Sequence, residues 1–386
     1  MTRTYKISVL PGDGIGREVI PQAVRVLRAV EELVGGFQTS LHQFECGGEY
    51  YLREKREWSL EAEEFTKKDA DAVLFGAIGA VNSDGSNVRL PDGNLAGYSI
   101  AIGLRMELDL YANVRPVRLY EGVWTPLSQK RPQDIDMTIV RENTEGLYSP
   151  TRGTLRRGGV SELAIDTRVI TRKGSERVIR YAYQLAADSH GAPEDGLKRV
   201  TCVDKSNLLA GCQLFRSIFD EIGVEYPGIE KDYAYVDAWT QWCLRKPEHY
   251  NVVVAPNEFG DIITDLGAAV QGGLGVAPAG NIGSKHGVFE PVHGSAPKYY
   301  GQNSANPMAS ILALSMMLEW LAAKHHDRRA HTAAEIVKES VAATLRDGKV
   351  RTKDLCVGQW STVNPSSTEG TTSAIIEMAK SIEGTR

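Results

Sequence analysis

The chain has 386 residues, of which 44 are Lys or Arg and 49 are Asp or Glu, and its formal net charge is -5 at pH 7. So small a charge excludes the strongly basic surface of proteins that bind nucleic acids or anionic membranes. A hydrophobic content of 42% and five scattered cysteines without a Cys-x-x-Cys pair predict a globular, cytoplasmic protein without a disulfide framework.

The chain starts with polar residues, Met1 to Tyr5, which lead directly into a strand-like run, Ile7 to Leu10. This start does not resemble a secretion signal. The longest apolar segment, Met308 to Leu321, is interrupted by polar residues and is too short to span a bilayer. It predicts a buried helix, with Asn306 as its N-cap and Pro307 at the first helical position. No membrane partner is expected.

Short apolar runs alternate with amphipathic segments along the chain, which is typical of an α/β protein with a largely buried sheet. The predicted strands are Lys6 to Leu10, Ala72 to Phe75, Met137 to Val140, Val200 to Val203 and Val252 to Ala255. The predicted helices are Glu18 to Leu33, Ser175 to Ala187, Ser206 to Ile222 and Ala333 to Arg346.

A glycine-rich motif, Pro11 to Gly16, follows the first predicted strand. A turn of this kind before a helix can direct backbone amides at a phosphate group. Its spacing differs from the G-x-G-x-x-G pattern, and a tight turn that needs glycine for its backbone angles explains it at least as well. Both interpretations stay open on the sequence alone.

Asp261 and Asp265 lie four residues apart in the stretch Asn257 to Asp265, which follows a strand-like run. In a helix they would lie on one face, one turn apart. A divalent cation between them would turn their repulsion into attraction, and carboxylate oxygens are the ligands that Mg²⁺ and Mn²⁺ prefer. An exposed acidic helix face is the alternative interpretation.

Three arginines stand in short, distinctive segments of the chain: Arg105, Arg115 and Arg141. The guanidinium group is a planar, bidentate donor that matches the geometry of a carboxylate. Singly, each is typical of a protein surface. Together with the aspartates they predict a site for a substrate that bears several carboxylates.

In order and spacing, these motifs resemble the isocitrate and isopropylmalate dehydrogenase family of metal-dependent, decarboxylating 2-hydroxyacid dehydrogenases. The resemblance covers nearly the whole chain. The segments that carry it are Pro11 to Gly16, Leu104 to Pro116, Arg141 to Tyr148, Val203 to Asn207, Tyr235 to Ala238, Asn257 to Asp265, Glu290 to Pro297, and Asn306 with Pro307.

The resemblance implies a two-domain α/β fold that is not a true Rossmann fold, with the active site in the cleft between the domains. Residues 1–110 plus 272–386 would form a large, cofactor-binding domain. Residues 111–271 would form a small central domain with a dimer arm and with substrate, metal and dimer contacts.

The resemblance also assigns roles to single residues. Arg105, Arg115 and Arg141 would bind the substrate carboxylates, and Asp261 and Asp265 would bind Mg²⁺ or Mn²⁺ with Asp237 of the partner subunit. Lys205, also from the partner subunit, would help to remove the hydroxyl proton, and Tyr148 would protonate the enol. Because the site needs residues of two chains, a homodimer is the expected active unit.

On the cofactor side, the resemblance assigns the adenosine half to a loop and one later residue: His293, Gly294, Ser295, Ala296 and Asn306. Lys298 and Tyr299 follow, where NAD-specific members typically have an aspartate first. A lysine could pair with the 2′-phosphate, so NADP is favoured over NAD. Farther on, Arg351 and Lys353 are the cations in the region where NADP-specific isocitrate dehydrogenases add a tyrosine and an arginine.

The third substituent of the substrate would be read by residues 98–103. Ser99 matches the serine of isocitrate enzymes, but Ala101 replaces their asparagine, and the isopropylmalate pattern is not matched either. Arg89, or Arg156 and Arg157 in the expected dimer arm, could serve a longer or more anionic substituent. Surface roles are the alternative. Glu258 is a further departure, since relatives usually have an apolar residue there.

The expected function is therefore NAD(P)-dependent oxidative decarboxylation of a 3-substituted, isocitrate-like malate to a 2-oxo acid and CO₂. Alternative substrates are isopropylmalate, homoisocitrate, D-malate, tartrate or a substrate of a specialised pathway. A non-catalytic regulatory subunit is a further alternative, but such a subunit would lack metal aspartates, Tyr148 or Lys205, all of which are present here.

Overall fold

The computed structural model describes residues 3–385, and all elements below lie in that range. The strands are β1 (Arg3–Leu10), β2 (Phe37–Gln43), β3 (Ala72–Phe75), β4 (Ala112–Arg118), β5 (Asp136–Glu142), β6 (Arg152–Arg157), β7 (Val160–Asp166), β8 (Arg199–Asp204), β9 (Glu230–Tyr235), β10 (Val252–Ala255), β11 (Pro278–Ile282) and β12 (Gly287–Pro291). The helices are α1 (Gly16–Val34), α2 (Gly48–Glu54), α3 (Leu60–Glu64), α4 (Leu104–Glu107), α5 (Arg172–Asp188), α6 (Ala210–Gly223), α7 (Val236–Arg245), α8 (Asn257–Val270), α9 (Met308–His325), α10 (Arg328–Asp347) and α11 (Thr368–Glu383).

The prediction of an α/β protein is confirmed, and each predicted strand and helix is present. The start of α6 was predicted wrongly. Ser206 precedes the helix because the amides of Leu208 and Leu209 donate to the carbonyl of Lys205, at 3.1 and 3.0 Å, and form a turn. The helix itself begins at Ala210.

Helix α9 is buried over most of its length, as its apolar sequence predicts. Asn306 caps its start, since the side-chain Oδ1 accepts from the amide of Met308 at 3.0 Å. Pro307 occupies the cap position rather than the first helical position, which corrects the predicted boundary by one residue. Within residues 3–385, no helix is both long and apolar enough to cross a membrane.

The chain divides into two compact units, and the first contains the described residues up to Leu108, Tyr120–Pro126 and the residues from Gln271 onward. Its strands follow the order β2-β1-β3-β12-β11. Neighbouring strands are parallel except β11, which runs antiparallel to β12. Helices α1, α9, α10 and α11 pack against one another in this unit.

The second unit contains Asp109–Leu119 and Leu127–Val270. Its strands follow the order β4-β5-β10-β8-β9, with β4 antiparallel to β5 and the others parallel. Strands β6 and β7 form a separate antiparallel hairpin that is exposed along its length. The expected domain boundaries, residues 1–110 plus 272–386 and residues 111–271, stay a prediction.

The parallel strands of the second unit bring three functional segments to one edge. Strands β5, β10 and β8 are neighbours with the same direction, so their carboxyl ends lie side by side. The segments that begin at Arg141, Asn257 and Lys205 lie at or just after these ends. Such an edge is where open α/β sheets bind their ligands.

Candidate active site

Helix α8 presents the two aspartates as the spacing predicts. It begins directly after β10 and Pro256, and Asp261 and Asp265 stand one turn apart on one face. The side chain of Asp261 is 38% exposed and that of Asp265 is 68% exposed. Both carboxylates are therefore accessible to a ligand.

Two of the three predicted arginines lie beneath these carboxylates. Arg115 on β4 donates from Nη1 to Asp265 Oδ1 at 3.2 Å, and Arg141 on β5 donates to Asp261 Oδ1. The Arg141 side chain is only 4% exposed, and Asn257 Oδ1 accepts from its Nε and Nη2 at 3.0 and 2.8 Å. Buried guanidinium groups in fixed orientations are thus covered by accessible carboxylates.

Tyr148 belongs to the same cluster. Its hydroxyl donates to Asp261 Oδ2 at 2.9 Å, and its ring lies 5.5 Å from the guanidinium carbon of Arg141. The side chain remains exposed. A phenol in this position can exchange a proton with a ligand that lies over Asp261.

Lys205 and Asp237 form a separate pair. Lys205 follows β8, Asp237 lies in the first turn of α7, and Nζ donates to Oδ1 at 2.7 Å. This hydrogen bond lowers the pKa of the Asp237 carboxyl, whose side chain is 66% exposed. The Asp237 carboxyl is therefore ionised at neutral pH and accessible to solvent.

The carboxylates of Asp261 and Asp265 are the candidate ligands for a divalent cation. Asp261 and Asp265 supply oxygen ligands from adjacent turns, which suits Mg²⁺ or Mn²⁺. Within residues 3–385, no group of three or more His, Cys, Asp or Glu side chains could hold a metal ion. Among these residues the structure thus does not group Asp237 with Asp261 and Asp265.

The remaining predicted substrate residues lie in the first unit. Ser99 opens a π-helical turn, Ser99–Gly103, that continues into α4, which carries Arg105. Arg105 lies 3.8 Å from the carboxylate of Glu290, and its Nε is buried without a hydrogen-bond partner among residues 3–385. An unsatisfied buried donor of this kind suits an anionic ligand.

The glycine-rich motif forms a tight turn whose amides serve the protein itself. The amide of Ile15 donates to Ser295 O at 2.8 Å, and Gly14 approaches so closely that a Cβ there would lie 2.2 Å from the same oxygen. The buried carboxylate of Asp13 accepts from the amide of Gly79 at 2.9 Å. These contacts favour the tight-turn interpretation over a phosphate site.

The predicted cofactor loop, residues 293–296, starts at a neutral histidine. Burial lowers the pKa of His293, and its Nε2 is buried without a partner in the described part of the chain. Ser295 fixes the loop by donating from Oγ to Gly79 O at 2.6 Å. Gly294 is exposed, and Ala296 has a left-handed φ of 38°. The unpaired Nε2 of His293 and the exposed backbone of Gly294 are polar groups that suit a nucleotide.

Lys298 and Tyr299 are exposed at the end of this loop, with the ammonium group 4.9 Å from the ring centre. Asn306 donates from Nδ2 to Asp354 Oδ2 at 3.0 Å. Asp354, which directly follows Lys353 in the chain, was not considered from the sequence. Its neighbour Lys353 is exposed.

Arg351 is not available to a cofactor. Its side chain is among the largest fully buried ones; it donates to the carbonyl of Gly122 at 2.6 Å and stacks on Trp360 at 3.7 Å. Its sequence position near the cofactor residues therefore reflects packing of the first unit. Lys298 and Lys353, by contrast, are exposed.

The other residues considered for substrate recognition have local partners or lie on the surface. Arg89 is exposed and donates to Gly93 O at 2.6 Å. Arg156 and Arg157 lie on the exposed β6–β7 hairpin. Glu258 is buried and pairs with Arg168, so it does not join the two accessible aspartates.

Comparison with known proteins shows the family of the chain. The sequence profile described as isocitrate/isopropylmalate dehydrogenase matches residues 6–378. The chain belongs to the isocitrate/isopropylmalate dehydrogenase family. It is 43% identical over 357 residues to a 3-isopropylmalate dehydrogenase of Thermobifida fusca, covering 90% of this chain and 94% of that protein.

Two further similarities concern the reaction and the fold. The chain is 40% identical over 330 residues to a decarboxylating D-malate dehydrogenase of Escherichia coli, covering 83% of this chain and 86% of that protein. The crystal structure of isocitrate dehydrogenase from Methylococcus capsulatus superposes with a TM-score of 0.82 and 33% identity, covering 97% of this chain and 99% of that one. The α/β fold of the family and its activity class, a decarboxylating dehydrogenase, are thus confirmed. Enzymes of this family generally use a divalent metal and NAD(P), act on small polycarboxylates and are often dimers.

Proposed function

We propose that the protein catalyses the NADP-dependent oxidative decarboxylation of a 3-substituted malate to a 2-oxo acid and CO₂. The observation that supports this proposal is the cluster around α8, in which accessible Asp261 and Asp265 cover the buried guanidinium groups of Arg115 and Arg141. A substrate with two carboxylates and a hydroxyl would complement both layers, namely the buried guanidinium groups and the accessible aspartates.

The residues of the chain have separable tasks in this reaction. Arg115 and Arg141 bind the substrate carboxylates and orient C2 so that its hydride faces the nicotinamide. We propose that Arg105, whose Nε is buried without a hydrogen-bond partner among residues 3–385, also binds an anionic group. Mg²⁺ or Mn²⁺, when held by the aspartates, would supply Lewis-acid polarisation of the 2-oxygen.

Proton transfer is assigned to a lysine and a tyrosine. Lys205 of the partner subunit accepts the hydroxyl proton while C2 loses hydride to the cofactor. The carboxylate at C3 then leaves as CO₂, and the electron pair of the broken bond forms an enolate, with the negative charge on the oxygen of C2. Tyr148 delivers a proton to C3 and regenerates the carbonyl. Asp237 of the partner subunit would complete the metal ligands, so the active unit is a homodimer.

The substituent at C3 is proposed to be small and apolar, or hydrogen. Residues 98–103 carry no charged side chain, and Ala101 and Ile102 are partly exposed. A third carboxylate, as in isocitrate, would find only Ser99 in this segment. The relatives named for 3-isopropylmalate and D-malate support the same preference.

The substrate proposal is tested by measuring formation of reduced nicotinamide with Mn²⁺, crossing NAD and NADP with D-malate, tartrate, isopropylmalate, isocitrate and homoisocitrate. We expect turnover with D-malate or isopropylmalate and NADP. Turnover with isocitrate alone would overturn the proposed apolar substituent, and no reduction with any substrate would overturn the proposed function.

The NADP preference is tested by Lys298→Asp. We expect the ratio of kcat/KM for NADP to that for NAD to fall roughly tenfold or more, since a charged hydrogen bond is lost and repulsion is gained. Lys285→Asp, at another exposed lysine of the same unit, is the control. An unchanged ratio in Lys298→Asp would contradict the assignment.

A further inference from the structure

Glu258 and Arg168 form a buried ion pair at the start of α8. Their side chains are 9% and 16% exposed, and Arg168 Nε donates to Glu258 Oε1. The guanidinium also donates from Nη2 to Cys212 Sγ at 3.3 Å and lies 5.2 Å from the ring centre of Phe259. Neither side chain of this pair takes a chemical part in the reaction proposed above.

The pair holds a short segment that leads to Tyr148. Val169, next to Arg168, pairs with Gly146 through two backbone hydrogen bonds of 2.8 and 3.2 Å. Gly146 has a φ of 85°, and a Cβ there would lie 2.8 Å from Glu258 Oε2. Glu258 therefore contacts both sides of this junction, namely Arg168 and the turn two residues before Tyr148.

The position of the pair along the helix adds to its rigidity. Glu258 lies in the first turn of α8, where a negative charge is favoured by the exposed amides of the helix end. Asp261, which accepts from Tyr148, lies on the next turn. The carboxylate end and the phenol end of the Tyr148–Asp261 hydrogen bond are thus both tied to Glu258.

We propose that the Arg168–Glu258 ion pair is a positioning pair that sets the geometry between Tyr148 and Asp261 for proton delivery. The inference rests on the proposed function of Tyr148. Neither Arg168 nor Glu258 touches the substrate in this proposal. Their effect is on kcat rather than on substrate binding, because Arg115 and Arg141 are held by other contacts.

A double-mutant design separates positioning from stability. Arg168→Met and Glu258→Leu singly leave one buried charge unpaired and should lower the melting temperature. The double variant removes both charges and should regain most of that loss. We expect its kcat to stay about tenfold below wild type, because a small misplacement of a reacting group is costly, with KM for the substrate within about twofold.

The matched control is the Lys130–Glu248 pair of the same unit, whose side chains are 18% and 23% exposed. The double variant Lys130→Met with Glu248→Leu should keep wild-type kcat. Hydrogen exchange of the amides in residues 146–149, followed by mass spectrometry, gives a reading that needs no substrate. Exchange should be faster in the Arg168/Glu258 double variant and unchanged in the control.

The outcomes are distinct. Wild-type kcat and wild-type exchange in the double variant would show that the pair only stabilises the fold, and would overturn the inference. A wild-type enzyme that reduces no cofactor with D-malate or with any 3-substituted malate would overturn the proposed function instead. In that case exchange in residues 146–149 alone decides whether the pair positions the Tyr148 turn.

Discussion

The α8 cluster and the Lys205–Asp237 pair use the same kinds of side chain in different surroundings. In the cluster, arginines buried beneath the surface are fixed by Asn113 and Asn257, and the carboxylates above them are accessible. The pair stands on the surface, with Asp237 66% exposed and hydrogen-bonded to Lys205.

The α8 cluster is therefore a preorganised site, whereas Lys205 and Asp237 remain available to a further partner. Ion pairs at an exposed surface contribute little to stability and are easily exchanged for other contacts. Buried arginines that lose their partners are costly, so the α8 cluster keeps its shape. The comparison therefore supports the proposal that Lys205 and Asp237 act on a second chain, and the predictions below test it.

The largest effect is expected for Asp261→Asn. The substitution removes the negative charge and replaces one of the two oxygens that accept from Arg141 and Tyr148. We expect kcat/KM to fall by about 10³-fold or more at any Mg²⁺ concentration. The measurement is reduction of the nicotinamide under saturating metal. Glu225→Gln, at an exposed acid of the same unit, is the control. Full activity of Asp261→Asn would show that Asp261 is not part of the active site.

Lys205→Met should lower kcat by about 10²-fold or more, since the base for the hydroxyl proton is lost. Mixing it with Asp261→Asn tests the division of the site between chains. After dissociation and random reassociation of equal amounts, hybrid dimers would each have one intact site, giving about one quarter of wild-type activity. No recovery, with hybrids shown by mass spectrometry, would place both residues in the same chain's site.

Tyr148→Phe should reduce kcat by about 10²-fold while KM changes only a few-fold, because the phenol moves a proton and does not clamp the carboxylates. The reaction is run in heavy water, the 2-oxo product is trapped, and the deuterium incorporated at C3 is measured. Tyr181→Phe, a tyrosine whose ring meets Tyr111 elsewhere in the unit, serves as the comparison variant. An equal loss in both variants would argue against a specific role for Tyr148.

The smallest effect concerns the Asp237 carboxyl. Lys205 holds its pKa below 3.8, so Lys205→Met should raise it, as an NMR titration of side-chain carboxyls can show. A lowered folded-state pKa stabilises the fold above the unfolded pKa of 3.8. This contribution is lost as pH falls through the folded-state pKa. An unchanged pKa in the variant would mean that the pair is not formed in solution.

Local patterns predicted much of the fold. The apolar run Val252–Ala255 gave β10 at its observed bounds, and the four-residue spacing placed Asp261 and Asp265 on one helix face. The tight-turn interpretation of residues 11–16 rested on glycine chemistry and is favoured by Gly14. These features depend on neighbours in sequence, which a pattern can describe.

Contacts between distant residues could not be predicted in the same way. Arg115 meets Asp265 across 150 positions and Arg168 meets Glu258 across 90, so no spacing rule relates them. Arg351 looked like a cofactor cation from its neighbours in sequence, but packing against Trp360 buries it. Whether a charged side chain is buried depends on which elements pack around it.

The close approach of Gly14 to Ser295 has a consequence for how such an enzyme can change over evolutionary time. The backbone of the cofactor loop is locked to the turn after β1, where added side chains do not fit. Lys298 and Tyr299, by contrast, stand exposed at its rim. On the proposed assignment, substitutions at Lys298 and Tyr299 can change the nucleotide preference. The backbone of the loop that carries these residues can stay the same.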